Sequence, residues 1–144
     1  MRITCLHTAD SNIAVFENTA QELAPGQHQF LHVSRPDLLA AAEQAGGLTE
    51  DIRQQTADVL LALSENADRV LLTCSTLGAA ATLASETAKV PVLRVDQALA
   101  EQAMKTAGKV VALCAVETTL EPTRQLFVQV TKHPQARLEM RLVD

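Results

Sequence analysis

The chain has 144 residues, 47% of them apolar and only 2% aromatic, with no Trp and no Tyr. Twelve Lys and Arg stand against seventeen Asp and Glu, a net charge of −5 with His neutral. That length suits one domain, or one domain and part of another. The acidic balance disfavours a nucleic-acid backbone as partner, and the scarcity of rings excludes both base-stacking platforms and a ring-clamped flavin.

Strand-like apolar runs alternate with helical patterns, the signature of βαβ units and a parallel sheet. Residues 3–7 read as the first strand, and a loop, Thr8-Ala9-Asp10-Ser11-Asn12, follows. Ile13, Phe16, Ala20 and Leu23 then recur at helical spacing and predict one buried face. Asp10 and Ser11 are placed to cap that helix and to contact a ligand. Pro25-Gly26 ends it, and residues 29–33 form the second strand.

Pro36 opens a short Ala-rich helix that stops at Gly46-Gly47. A longer helix starts near Thr49, with Glu50 and Asp51 at its positive dipole end and a stripe of Ile52, Thr56, Val59, Leu60 and Leu63. Residues 69–73 are the third strand. Its run Val70-Leu71-Leu72 is continuously apolar, as expected for a strand covered on both faces. Cys74-Ser75-Thr76-Leu77-Gly78 follows and opens another Ala-rich helix.

Residues 90–95 are the fourth strand, and Asp96 is expected to cap a helix ended by Gly108. Residues 110–114 are the fifth strand. A loop, Ala115-Val116-Glu117-Thr118-Thr119, leads to a helix with Pro122 in its first turn. The last strand, 137–143, alternates, with Leu138, Met140 and Leu142 opposite Glu139 and Arg141. It reads as an edge strand or one with a wet face. Its edge and apolar side call for cover, which points to a homodimer.

The N-terminus reads as a strand and lacks a signal peptide. No apolar run approaches a membrane span. Three cysteines without a CxxC pair fit reduced thiols in the cytoplasm.

In open parallel sheets, ligands bind beyond the carboxyl ends of the strands. Four loops leave those ends, at 8–12, 74–78, 95–96 and 115–119, all rich in short polar side chains. Cys74 stands out among them. A thiol between a strand end and a helix N-terminus is favoured as thiolate by the dipole and the amide groups, and Ser75 and Thr76 add hydroxyls. Cys5 reads as core, and Cys114 as core at a strand end. His7 ends the first strand and reads as a hydrogen-bonded structural residue. His28, His32 and His133 read as loop, edge or surface residues. No metal-ligand spacing is present, and no metal is expected.

Several familiar sites are excluded. A Cys-x5-Arg phosphatase loop needs Arg where Ala80 stands, and a receiver domain needs Asp where Cys74 stands. The 8–12 loop lacks the glycines of a dinucleotide or P-loop motif. No Ser/His/Asp triad can be assembled.

At these residues the sequence resembles the aspartate/glutamate/hydantoin racemase superfamily, which includes arylmalonate decarboxylases and maleate isomerases. Val70-Leu71-Leu72-Thr73-Cys74-Ser75-Thr76 is similar to the family's first catalytic cysteine motif. Asp10-Ser11-Asn12 is similar to the Asp-Ser loop of glutamate racemases, and Val90-Pro91-Val92 to the family's fourth strand. Val111-Ala112-Leu113-Cys114 with Thr118 is similar to the strand and Thr-containing loop that open the second lobe.

The resemblance implies a three-layer, flavodoxin-like α/β fold: a mostly parallel sheet of order 2-1-3-4 flanked by helices. Residues 1–108 would be lobe one. Residues 109–144 would begin lobe two or extend the same sheet. It further implies a cofactor-independent racemase or isomerase acting on a small carboxylate, with Cys74 catalytic. Asp10, Ser11, Asn12, Ser75, Thr76, Thr118 and Thr119 would bind the substrate. The family's second cysteine falls beyond Asp144, and Ala115 stands where many relatives carry a substrate-binding Thr. Inverting a stereocentre takes an acid and a base on opposite faces, and Cys74 serves one. One thiol also suits a decarboxylase or a cis-trans isomerase of the same superfamily. The alternative is a non-catalytic binding or assembly module derived from a racemase half.

Overall fold

The computed structural model describes residues 1–105, 107–133 and 135–143. The elements run β1 (Arg2–His7), α1 (Ser11–Leu23), β2 (Gln29–Ser34), α2 (Pro36–Gln44), α3 (Glu50–Ser64), β3 (Arg69–Leu72), α4 (Gly78–Ser85), β4 (Val92–Arg94), α5 (Val95–Ala103) and β5 (Gly108–Cys114). A single 3-10 turn (Glu117–Thr119), α6 (Leu120–Val130) and β6 (Ala136–Leu142) complete the chain.

Four strands form one parallel sheet in the order β2-β1-β3-β4. This α/β arrangement of a parallel sheet flanked by helices agrees with the expectation. The sheet reads out the period of its strands. On one side Leu6, Val70, Leu72 and Val92 meet Leu38 and Ala42 of α2, Ile52, Ala57 and Leu60 of α3, and Ala80, Ala81 and Ala84 of α4 in one buried cluster. Alanines let α4 lie close to the strands. Pro36 sits in the first turn of α2, and the Thr49 hydroxyl accepts the Ile52 N–H at the start of α3.

The opposite side of the sheet is thinner. It carries α1, which has no fully buried residue. Ile13, Phe16 and Ala20 are half-buried against the strands, whereas Leu23 is 79% exposed. The expected helical stripe is therefore only partly used. Leu71 is likewise half-buried rather than enclosed. One helix cannot cover four strands, and a groove of about 320 Å³ remains between Ile3, Phe16, Leu23, Phe30, Leu71 and Leu93.

β5 and β6 pair in parallel with each other and do not extend the four-stranded sheet. Their core joins Ala100 and Met104 with Ala112, Leu126 and Phe127, so α5 and α6 pack on this second sheet. The alternation in β6 is realised at Leu138 and Met140, whereas Leu142, expected on the same face, is exposed. Leu138 and Met140 face the core, while Glu139 pairs with Lys109 and Arg141.

Two local expectations are corrected. Asp96 lies inside the first turn of α5 and binds Arg94 instead of capping, and α5 ends at Ala103, with Gly108 opening β5. Asp10 occupies the position before α1 but makes no capping bond, because its carboxylate accepts the Ser34 hydroxyl.

Candidate functional site

The parallel register brings the loops after β1 and β3 to one end of the sheet, joined where the Thr73 N–H donates to the Leu6 carbonyl at 3.0 Å. Cys74 follows Thr73 and continues the inward alternation of Val70 and Leu72. Its side chain lies in the cluster with Leu72, Leu77 and Ala80, and the residue is 8% exposed. The amide groups next to it are those of the 75–77 turn, because α4 begins only at Gly78. Helix and thiol are thus further apart than the sequence suggested.

Thr76 is buried, and its hydroxyl bonds that of Thr118 at 3.3 Å. This contact ties the loop after β3 to the 3-10 turn after β5. Thr119 closes the same turn by donating to the Val116 carbonyl at 2.7 Å. Ser75 and Thr119 both line a cavity of about 370 Å³, with Asp96, Cys114, Ala115 and Phe127 among its walls. Four of the expected residues (Ser75, Thr76, Thr118 and Thr119) are therefore brought together.

Asp10, Ser11 and Asn12 stand at the same end of the sheet, where α1 begins. Asp10 and Ser11 are exposed, and Asn12 is half-buried. Asp10 points to the end of β2 through Ser34.

Two arrangements were not anticipated. The Arg94 guanidinium binds Asp96 through two N–H···O bonds of 2.6 and 2.7 Å, both side chains being largely buried. Arg94 also lines a cavity of about 390 Å³ with Gln97, Glu101 and Lys132.

The second arrangement is a chain of polar side chains under α1. His7 Nδ1 bonds the Thr73 hydroxyl at 2.8 Å, His7 Nε2 bonds His32 Nδ1 at 2.8 Å, and His32 Nε2 bonds Glu17 at 3.0 Å. Cys5 lies beside the two histidines. Burial, and then the Glu17 charge, push the Cys5 thiol up to about 11. Burial, and then His32, lower the basicity of His7. His32 does lie on the edge strand, as expected, yet its side chain is only 9% exposed because α1 covers it. These residues are scattered along the sequence, so spacing does not reveal them. The signal that could have found them is the register of β1 on β2, which sets Cys5 opposite His32.

No family model matches this sequence, and no curated protein matches it. Among solved structures the chain is similar to glutamate racemase from Aquifex pyrophilus, with a TM-score of 0.70 and 11% sequence identity. The match covers 97% of this chain and 55% of that one, so the chain spans about half the length of the racemase. At that identity the likeness is one of fold, and the fold is racemase-like. No helix among the described residues is long and apolar enough to cross a membrane.

Proposed function

We propose that this chain provides a cofactor-independent, racemase- or isomerase-type site for a small carboxylate such as an amino acid, with Cys74 as the proton-transferring thiol. The observation that carries the proposal is the convergence of the loop after β3 with the turn after β5, joined at Thr76 and Thr118, within a racemase-like fold. Both loops leave carboxyl ends of parallel strands, where α/β sheets place their ligands.

In this reading the substrate carboxylate lies against Ser75, Thr76, Thr118 and Thr119. Hydroxyl and amide donors there stabilise the charge that develops when the α-proton leaves. Asp10, Ser11 and Asn12 approach from the loop after β1. Cys74 removes or returns the proton on one face of the α-carbon. The four-stranded sheet acts as one lobe and the β5–β6 sheet with α5 and α6 as the start of a second, so the division falls ahead of α5 and not at residue 108. A second copy of the chain would cover the apolar residues Leu142 and Val143, which are exposed at the end of β6.

Burial of Cys74 among Leu72, Leu77 and Ala80 favours a second reading, a non-catalytic module in which the thiol is packing. Exchange of the α-proton of aspartate, glutamate and related acids in deuterated water, followed by NMR with the native chain and with Cys74→Ser, separates the two. The enzyme reading expects exchange that falls by about a hundredfold or more in the variant. Exchange unchanged in Cys74→Ser overturns it. Absence of exchange, together with a Cys74 that iodoacetamide does not modify in the folded chain, establishes the module.

A further inference from the structure

We propose that Cys5, His7 and His32 form a binding site for a zinc-class divalent transition-metal ion on the face of the sheet beneath α1. The proposal does not depend on the reading of Cys74.

Placement follows from strand geometry. Cys5 and His7 are two residues apart on β1 and share a face. His32 lies opposite Cys5 in the parallel register of β2. One ligand atom from each residue falls within 4.8 Å of the other two. A tetrahedral ion with bonds of about 2.0 Å to nitrogen and about 2.3 Å to sulfur would hold such atoms about 3.3 to 3.5 Å apart. Atoms at that outer limit would have to close by about 1.3 Å to reach tetrahedral bonding.

The outer hydrogen bonds orient both rings. Glu17 as a carboxylate can only accept, so His32 carries its proton on Nε2 and turns the Nδ1 lone pair toward His7 Nε2, 2.8 Å away. The Thr73 hydroxyl has one proton and two acceptors within reach, His7 Nδ1 at 2.8 Å and the Leu6 carbonyl at 3.2 Å. Donated to His7, it completes a neutral relay in which His7 Nε2–H donates to His32. Donated to Leu6, it lets His7 carry its proton on Nδ1, and the two ring lone pairs then face each other as a metal ion requires.

Several features favour the metal. A thiol stands beside the nitrogen pair, and sulfur with imidazole is a donor set that selects zinc-class ions. Both histidines are already oriented by partners on their far nitrogens, as metal-bound histidines usually are. On binding, Cys5 gives its proton to solvent as the metal–sulfur bond forms, and any proton shared by the histidines leaves as well.

The test is titration of the full chain with cobalt(II), followed by displacement with zinc(II). The expected result is one equivalent of cobalt with visible bands of a tetrahedral site and a near-ultraviolet thiolate charge-transfer band. That band should vanish in Cys5→Ser and persist in Cys74→Ser and Cys114→Ser. Glu17→Gln, which keeps the histidines but weakens their orientation, should lower affinity by about 10- to 100-fold. Circular dichroism of each variant confirms that it is folded. Absence of a thiolate band, or a band that survives Cys5→Ser, overturns the proposal. So does a melting temperature that zinc leaves unchanged, because an ion bound only by the folded chain must raise it; the neutral Thr73–His7–His32–Glu17 relay would then account for the cluster alone.

Discussion

Arg94 lies over Gly78: a Cβ on that glycine would overlap the guanidinium that binds Asp96. The glycine is required by close approach and not by backbone conformation, since its φ is not positive. Gly78→Ala should therefore push Arg94 off Asp96 and cost about 1–3 kcal/mol, the usual penalty of overpacking. Urea denaturation measures it. In an Arg94→Ala background the same substitution should cost much less, and equal costs in both backgrounds would refute the steric account.

The Thr76–Thr118 bond predicts a modest effect on stability with a larger one on any chemistry at the site. Thr76→Val keeps the shape, removes a buried hydroxyl and leaves Thr118 half-buried. The expected cost is about 1 kcal/mol, read from thermal or urea unfolding. Thr118→Val made alongside it should add little, because the partner has already been lost.

Leu60 and Leu23 make a matched pair for the two faces of the sheet. Leu60 is fully buried among α2, α3 and the strands, and Leu60→Ala should cost about 2–5 kcal/mol through the cavity it leaves. Leu23→Ala, at 79% exposure, should change stability by less than about 0.5 kcal/mol. Denaturant midpoints of the two variants check both values.

Asp68 provides a pH-dependent prediction. The Arg2 backbone N–H bonds its carboxylate at 2.6 Å, and that bond, followed by the guanidinium charge, holds the carboxyl below the usual range. A carboxyl depressed in the folded state contributes stability above its unfolded value of about 3.9, and that contribution is lost as pH falls through the folded value. Asp68→Asn should thus be slightly less stable at neutral pH, with the difference fading only on the acid side of the ordinary carboxylate range. The group is exposed, so the effect is small; a difference that grew on acidification would contradict the sign.

Much of this architecture can be read from residue patterns. The continuous Val70-Leu71-Leu72 run marks a central strand, and the alternation of Leu138 and Met140 with Glu139 marks one with a wet face. Pro36 and Thr49 mark helix starts. What the patterns miss is tertiary. Leu23 has the right spacing for a buried face but lies beyond the strands that would cover it. Asp96 looks like a cap until Arg94 binds it. Cys74 sits at the expected strand end, yet its side chain follows the alternation of β3 into the core. Cys5 and His7 share a face of β1 by the period of the strand, but His32 joins them only through strand register, which depends on the whole sheet. The hydroxyls at Ser75, Thr76, Thr118 and Thr119 were legible because short polar residues cluster after strands for a general reason: the amides there lack partners.

The thin side of the sheet has a further consequence. With no residue fully enclosed, α1 is latched by the Phe16–His7 ring contact and the Glu17–His32 bond more than by a hydrophobic seal. It should be the first piece to peel away as the protein warms, its amides trading hydrogen for deuterium well ahead of those in α3. The thermal fragility of the molecule would then be concentrated in one helix, while the Ala-rich half beneath it stays shut.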